Sequence, residues 1–234
     1  MKQHRFFIGE NSIKKEGTHT DAELAHQLKK VLRMRSGATV VFFDASGNEY
    51  TVLLKEVNGS DIVYEITDSK KNNEEKRRVH LFASIIKREN FEWIVQKATE
   101  CGVSDITPIQ TERTVKMDLK MERLKKIIKE AAEQSGRGYI PELFPIKKFS
   151  DVMAHEDGNA MSVLCDGSGG NGAAVFGKNT DIRIFVGPEG GWTEHELGSA
   201  KEKGIHIVNL GLFTLRAETA AVIAAYLGVN ENKG

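Results

Sequence analysis

The segment Val186–Leu197, VGPEGGWTEHEL, sets one carboxylate, Glu189, among three glycines, Gly187, Gly190 and Gly191, where an apolar strand pattern stops. Glycine tolerates backbone conformations and close approaches that a Cβ forbids. A tight strand-to-helix connection accounts for one glycine and for Pro188. Three glycines and a carboxylate point further, to a ligand held against the backbone. Glu189 would accept hydrogen bonds from a ligand hydroxyl or amine, or cap neighbouring backbone. Behind the turn, Thr193 and Glu196 have capping-box spacing, and Trp192 and Leu197 that of a hydrophobic staple, so a helix is predicted to open at Glu194.

Two other segments combine a strand end with polar chemistry. In LGLFTLRAETAAV, Leu210–Val222, a strand enters a loop and then an Ala-rich helix. Glu218 falls in the first turn, where negative charge suits the helix dipole. Arg216 stands at the same positive end and calls for an anionic partner. In LCDGSGGNG, Leu164–Gly172, Gly167, Gly169 and Gly172 match the dinucleotide pattern GxGxxG. That pattern needs a crossover helix opening at its third glycine. Only AAVF follows before Gly177, so the match is a decoy within a loop. Together the three loops bring backbone N–H and C=O groups beside apolar Leu164, Leu210, Leu212, Phe213 and Leu215. With little positive charge and no P-loop lysine, such a pocket disfavours a polyphosphate. It suits a neutral or cationic ligand with a flat ring.

The elements that must carry these loops alternate. VHLFASII, ITPIQ, MSVLCD, DIRIFVG and IHIVNLG read as strands. Between and after them lie helices at FEWIVQKATECG, Leu119–Gln134, Phe149–His155, behind Thr193, and at AETAAVIAAYL. This alternation predicts a mainly parallel sheet covered on both faces, with ligands at the carboxyl ends of its strands. The part before it is mostly β. HRFFIG, ATVVFFD, EYTVLLKEV and DIVYEIT are strands, and Asn58-Gly59 marks a hairpin. One helix starts at a capping box, Thr20-Asp-Ala-Glu23, and stops at Gly37. A small barrel or curled sheet results. The polar run Ser69–Arg78 is the expected linker.

The chain has 234 residues, 40% hydrophobic and 28% charged, as for a soluble globular protein of one large or two modest domains. The start lacks the apolar run of a secretory signal, and the longest apolar stretch, Ala220–Val229, is too short for a bilayer. A cytoplasmic protein without membrane contact is expected. Cys101 and Cys165 form no metal-spaced pair, and the seven histidines show no metal spacing, so no metal is expected. Residues 151–234 hold 6 Lys+Arg against 11 Asp+Glu, which leaves 27 against 22 in residues 1–150. The basic part could face a polyanion or be a solvated surface.

GPEGGWTEHE followed by NLGLFTLRAETA resembles the knotted SPOUT methyltransferases, and more narrowly the RsmE family, the 16S rRNA (uracil-N3)-methyltransferases. HRFFI, AHQLKKVLRMRSG, QKATECGVSDITPIQTERTV and EAAEQSGRGYIPEL resemble family segments in the family's order. CGV stands where the family has LGV, and FTLR where an isoleucine precedes Leu-Arg; neither removes a charged group. The resemblance implies an α/β fold. An N-terminal PUA-like β-barrel domain over residues 1–72 would grip RNA. Residues 73–234 would form a SPOUT methyltransferase domain with a C-terminal trefoil knot. It also implies a homodimer that binds S-adenosylmethionine near its interface. Leu164, Gly187, Leu210 and Leu215 would border the adenine, and Gly190 and Gly191 the ribose and methionine. Arg216, Glu218 and Thr219 sit where the cofactor loop becomes the last helix.

The reaction so implied is methyl transfer from a sulfonium to uracil N3 in 16S rRNA of the small ribosomal subunit. Candidates for stabilising the uracil anion are Arg113, Gln134 and Arg137, the last from either subunit. Glu189 is a proton acceptor or a cofactor contact. Phosphate contacts would come from Arg5, Lys29, Lys30, Arg33 and Arg35, with Arg88, Lys97 and Lys116 adding to them. The alternatives are methylation of another RNA base, a non-catalytic RNA-binding protein, and a dehydrogenase built on the decoy motif.

Overall fold

A computed structural model of the chain describes residues 4–9, 13–71, 77–115, 118–155, 160–171, 175–176 and 180–230. The chain divides into two compact units, Met1–Glu74 with Ala132–Ile140, and Glu75–Ala131 with Pro141–Gly234.

The first unit is a five-stranded sheet built from β1 (Arg5–Phe7), β2 (Glu16–Thr20), β3 (Thr39–Phe43), β4 (Asn48–Asn58) and β5 (Asp61–Lys71). Its order is β1-β3-β4-β5-β2. The β4–β5 hairpin turns at Asn58-Gly59, and Gly59 takes the positive φ of 60° such a turn requires. Register shifts between Thr51 and Val52 and between Leu54 and Glu56 bend this pair. Phe6, Phe42, Val52, Leu54, Ile62 and Tyr64 form the core with Leu24 and Leu28 of the helix.

That helix departs from its sequence reading at both ends. Asp21, not Thr20, is the N-cap of α1 (Ala22–His26), and its carboxylate accepts from Leu24 N at 3.0 Å. Thr20 instead closes β2, a strand the sequence did not suggest, and donates to Asp61. Asp caps as well as Thr, so the frame slipped by one residue. α1 runs on as a π-helical turn, Gln27–Val31, and ends at Leu32. Arg33 follows directly in the left-handed region at φ 53°, and Gly37, at φ 89°, lies beyond the helix end. The expected linker, Ser69–Arg78, includes the end of a strand and a buried side chain, since β5 extends to Lys71 and Arg77 is buried.

The second unit is a parallel sheet of β6 (Arg78–Ser84), β7 (Asp105–Gln110), β8 (Glu142–Leu143), β9 (Lys147–Lys148), β10 (Met161–Asn171), β11 (Asp181–Val186) and β12 (His206–Asn209). Its order is β12-β10-β11-β6-β7-β8, with β9 also on β7, and every pairing is parallel. The helices are α2 (Arg88–Cys101), α3 (Met121–Ser135), whose residues from Ala132 on belong to the first unit, α4 (Phe149–Ala154), α5 (Glu194–Glu202) and α6 (Ala217–Asn230). Side chains alternate across a strand, so each strand serves both faces. Val79 and Ile184 meet Gly228 of α6 on one face, where α6 also packs against α2. Phe82 and Phe185 lie on the other with Phe149 of α4 and Leu197 of α5. Gly102 ends α2 at φ 110°, as its position after the apolar stripe predicts.

Among the described residues, no helix is long and apolar enough to cross a membrane.

Candidate functional site at the carboxyl edge of the parallel sheet

The carboxyl ends of β10, β11 and β12 meet around a cleft of about 570 Å³. Its first wall is a break in β10. Cys165 and Gly170 both stand opposite Val208, so residues 166–169 bulge out of the ladder. Asp166 closes the bulge: its Oδ1 accepts from Ser168 N at 2.9 Å and from Ser168 Oγ at 2.6 Å. Gly169 allows the return, because a Cβ there would lie 2.5 Å from the Ile207 carbonyl. The decoy GxGxxG is therefore strand and bulge. Gly172 and Gly177 lie outside the described residues.

The second wall is GPEGG, whose Gly187, Pro188, Glu189 and Gly191 line the cleft. Two of its glycines also have a local reason. A Cβ on Gly187 would come 3.0 Å from the Trp192 indole, whereas one on Gly190 would make ordinary contact, 3.4 Å, with the Arg113 side chain. Gly191 adopts φ 68°, and its N–H donates to Pro188 O at 2.9 Å to close the turn. Packing and turn geometry thus account for Gly187 and Gly191; the case for a ligand rests on the cleft they line. The capping box behind the turn forms as read, with Glu196 N donating to Thr193 Oγ1 and Thr193 N to Glu196 Oε2. Trp192 and Leu197 share one core cluster.

The third wall is Leu210–Arg216. Asn209 holds it, accepting from Gly211 N at 3.0 Å and donating to Gly167 O at 3.3 Å. Trp192 ties the second wall to the first by donating from Nε1 to Cys165 O at 3.0 Å. The walls are therefore cross-linked by hydrogen bonds before any ligand arrives.

A fourth segment braces the second wall. Thr111 N donates to Thr114 Oγ1, which shapes the TERT loop. Arg113 Nη1 donates to Gly190 O at 2.6 Å and to Trp192 O at 3.1 Å. Glu112 N donates to the buried Glu196 carboxylate. Glu112 also faces His195 Nδ1 at 2.8 Å; this contact holds the Glu112 carboxyl below its usual range and raises the imidazole.

Of the sequence-named cofactor residues, Gly187, Glu189, Gly191, Leu210, Leu215 and Arg216 line the cleft. Leu164 is fully buried in the core, and the wall begins at the next residue, Cys165. Gly190 carries the carbonyl that Arg113 grips. Glu218 and Thr219 lie in the first turn of α6, whose Ala217 and Ala220 face the cleft. Glu218 is the anionic neighbour of Arg216, at 4.0 Å, but the arginine is 85% exposed. Sequence reasoning missed Cys165, Asp166 and Asn209. Asp166 was legible, being a carboxylate directly after an apolar strand. Burial pushes the Cys165 thiol up to about 12, so it stays protonated and inert at neutral pH.

Gln134 and Arg137 belong to the first unit, Gln134 exposed in the last turn of α3. Arg5 is half-buried, ion-paired to Glu49 at 2.6 Å and bonded to Arg137 O, so its charge serves that unit internally. Lys29, Lys30, Arg33 and Arg35 are exposed along one short segment, and Lys29 donates to Val57 O. Arg88 is exposed at the start of α2, while Lys97 is paired with Glu100. Lys116 lies outside the described residues.

Residues 73–227 match the RNA methyltransferase domain family. The ribosomal RNA small subunit methyltransferase E of Synechocystis sp. is 33% identical over 224 residues, spanning 92% of this chain and 73% of that protein. Its counterpart in Bacillus subtilis is 31% identical over 220 residues, 86% of this chain and 85% of that one. The structure superposes with a TM-score of 0.88, at 29% identity, on the ribosomal RNA small subunit methyltransferase E of Neisseria gonorrhoeae bound to S-adenosylmethionine. That match covers 96% of this chain and 95% of the other. A Legionella pneumophila protein solved with the same cofactor gives 0.87 at 28% identity, covering 96% of each chain. By sequence and by fold, the chain belongs to the RNA methyltransferase family, within the group of the ribosomal RNA small subunit methyltransferases E.

Proposed function

We propose that this protein uses S-adenosylmethionine to methylate ring nitrogen N3 of one uridine in 16S rRNA of the small ribosomal subunit. The supporting observation is the cleft at the carboxyl ends of β10, β11 and β12, in a chain whose relatives carry that cofactor. Its residues fit the group. Leu210, Leu212, Phe213 and Leu215 offer apolar surface to a flat ring, and the turns around Gly187 and Gly211 offer backbone hydrogen bonds to its polar edge. Among the described residues, Asp166 and Glu189 are the carboxylates on the lining, Arg216 is its one cation, and no lysine or histidine joins them. That balance suits a cationic ligand.

When bound, the cofactor supplies a methyl group already activated by its sulfonium. The protein's task is alignment and disposal of the N3 proton. Arg113, anchored to Gly190 and Trp192 through Nη1, holds the second wall in place. Its remaining N–H groups can face an anion. Gln134 and Arg137 are the other candidates for stabilising the uracil anion, and Glu189, exposed at the turn, can accept the proton. Residues 1–72 act as a PUA-like RNA grip through Lys30, Arg33 and Arg35. Residues 73–234 form the knotted SPOUT domain. The working form is a cytoplasmic homodimer. Leu212 is 97% exposed and Phe213 83% exposed beside the cleft, and Glu218 is the one charged residue of α6. Helices apolar on every side are normally enclosed.

The test is to incubate the protein with methyl-labelled cofactor and small subunits from cells lacking this gene, then identify the labelled nucleoside. Label in 3-methyluridine at a single site is the expected result. Label in another nucleoside would move the activity to a different base, and no label would refute the assignment.

A further inference from the structure

The cleft contains a charged group that no sequence motif marked, and its surroundings give it a definite task. Asp166 lines the cleft at the tip of the β10 bulge and is half-buried. Both hydrogen bonds it receives, from Ser168 N and Ser168 Oγ, fall on Oδ1. Among the described residues, Oδ2 receives none. Ser168 thus fixes the carboxylate without neutralising it. The Asn209 bond to Gly167 O fixes the backbone beside it. The other charges on the lining are poorly placed to compete: Glu189 is exposed at the turn, and the Arg216 side chain is 85% exposed.

We propose that Asp166 is the cation anchor of the cleft, the residue that recognises the positively charged methionine end of the methyl donor. This rests on the cofactor reading above and adds to it a residue and a selectivity. S-adenosylmethionine carries two positive centres, an ammonium and a sulfonium. A fixed carboxylate prefers either to an uncharged analogue of the same shape, because charge-assisted contacts are roughly twice as strong as neutral ones. 5′-Methylthioadenosine keeps the adenine, ribose and sulfur but has neither charge. S-adenosylhomocysteine keeps the ammonium and lacks the sulfonium.

Asp166→Asn is the matching variant. Its amide oxygen still accepts both Ser168 bonds, so the turn is retained while the charge is lost. Calorimetric titration of the full chain with the three ligands reads the effect. The variant is expected to weaken S-adenosylmethionine roughly 10- to 100-fold, equivalent to about 1.4–2.8 kcal/mol, and to leave 5′-methylthioadenosine within about 2-fold. Asp166→Glu, which restores the charge, is expected to recover part of the loss. Loss shared by S-adenosylhomocysteine places the contact at the ammonium; loss confined to S-adenosylmethionine places it at the sulfonium. Equal weakening of the charged and uncharged ligands would make Asp166 a structural residue and overturn the proposal, as would no weakening. If the wild-type chain bound none of the three, the cofactor reading itself would fall; if it bound all three and the variant matched it, only the role of Asp166 would.

Discussion

The two ends of one parallel sheet are held together by different means. At the carboxyl edge, strands β10, β11 and β12 diverge into loops whose cross-links between walls are neutral hydrogen bonds to backbone, Trp192 to Cys165 O and Asn209 to Gly167 O, with the Arg113 guanidinium bracing the second wall alone. At the amino edge, strands β6, β7 and β11 are tied by charge. His80 Nδ1 lies 2.5 Å from Asp105 Oδ2, and Nε2 lies 3.0 Å from Asp181 Oδ1. Carboxylates only accept, so a ring bonded to both must carry two protons and a positive charge. The hydrogen bond to Asp105 accordingly raises the imidazole above its ordinary range, against the opposing cost of burial. A neutral tether leaves an open cleft free to take its ligand's charge. An ionic clamp satisfies its own charges while it ties three strands together.

If that contrast is right, perturbations at the two edges should separate stability from ligand binding. The largest effect is expected at Gly169, where an added Cβ meets backbone rather than a movable side chain. Gly169→Ala should cost roughly 2–3 kcal/mol in chemical denaturation and abolish measurable cofactor binding. A variant with unchanged stability would refute the close approach to β12. Next comes His80→Gln, which deprives the buried Asp105 of its imidazolium. A loss of about 1–3 kcal/mol is expected, with the cofactor dissociation constant unaltered. A changed dissociation constant would mean that the edges are not independent. Trp192→Phe removes the indole N–H together with part of the buried ring that packs against Gly187. About 1–2 kcal/mol should be lost, together with a several-fold weakening of cofactor binding.

The smallest effect is a pH dependence. The folded pKa of His80 is raised, so its contribution is fully present below the unfolded value of about 6.5 and disappears as pH rises through the folded value. Melting temperatures of wild type and His80→Gln should therefore converge between mildly acidic and alkaline pH. His195 is also raised, but it is exposed, and His195→Gln should leave the stability profile unchanged. Parallel curves for wild type and His80→Gln would show that the ring is not charged in the clamp.

The sequence exposed the two edges unequally, for a physical reason. Motifs are local. The capping box at Thr193 and Glu196, the Gly102 stop and the Asn58-Gly59 hairpin involve neighbours in the chain, and each forms as read. The three cleft loops could be found because each follows an apolar strand. The His80 clamp could not, because its partners stand 25 and 101 residues away and meet only through sheet order. The same limit hid the contacts around GPEGG. Gly187 lies tight against Trp192 and Gly190 beside Arg113, and the Arg113 contact crosses from another loop. Asp21 shows a smaller fault: two residues able to cap stand side by side, and sequence spacing favoured the wrong one.

Hydrogen exchange of the full chain, with and without S-adenosylmethionine, puts the contrast between the edges to its most direct test. Binding at the carboxyl edge should slow exchange in residues 165–168, 186–192 and 209–217 and leave residues 78–82, 105–107 and 181–183 as they were. Protection centred on the amino edge, or none on the three loops, would contradict the placement of the cofactor and with it the proposed reaction.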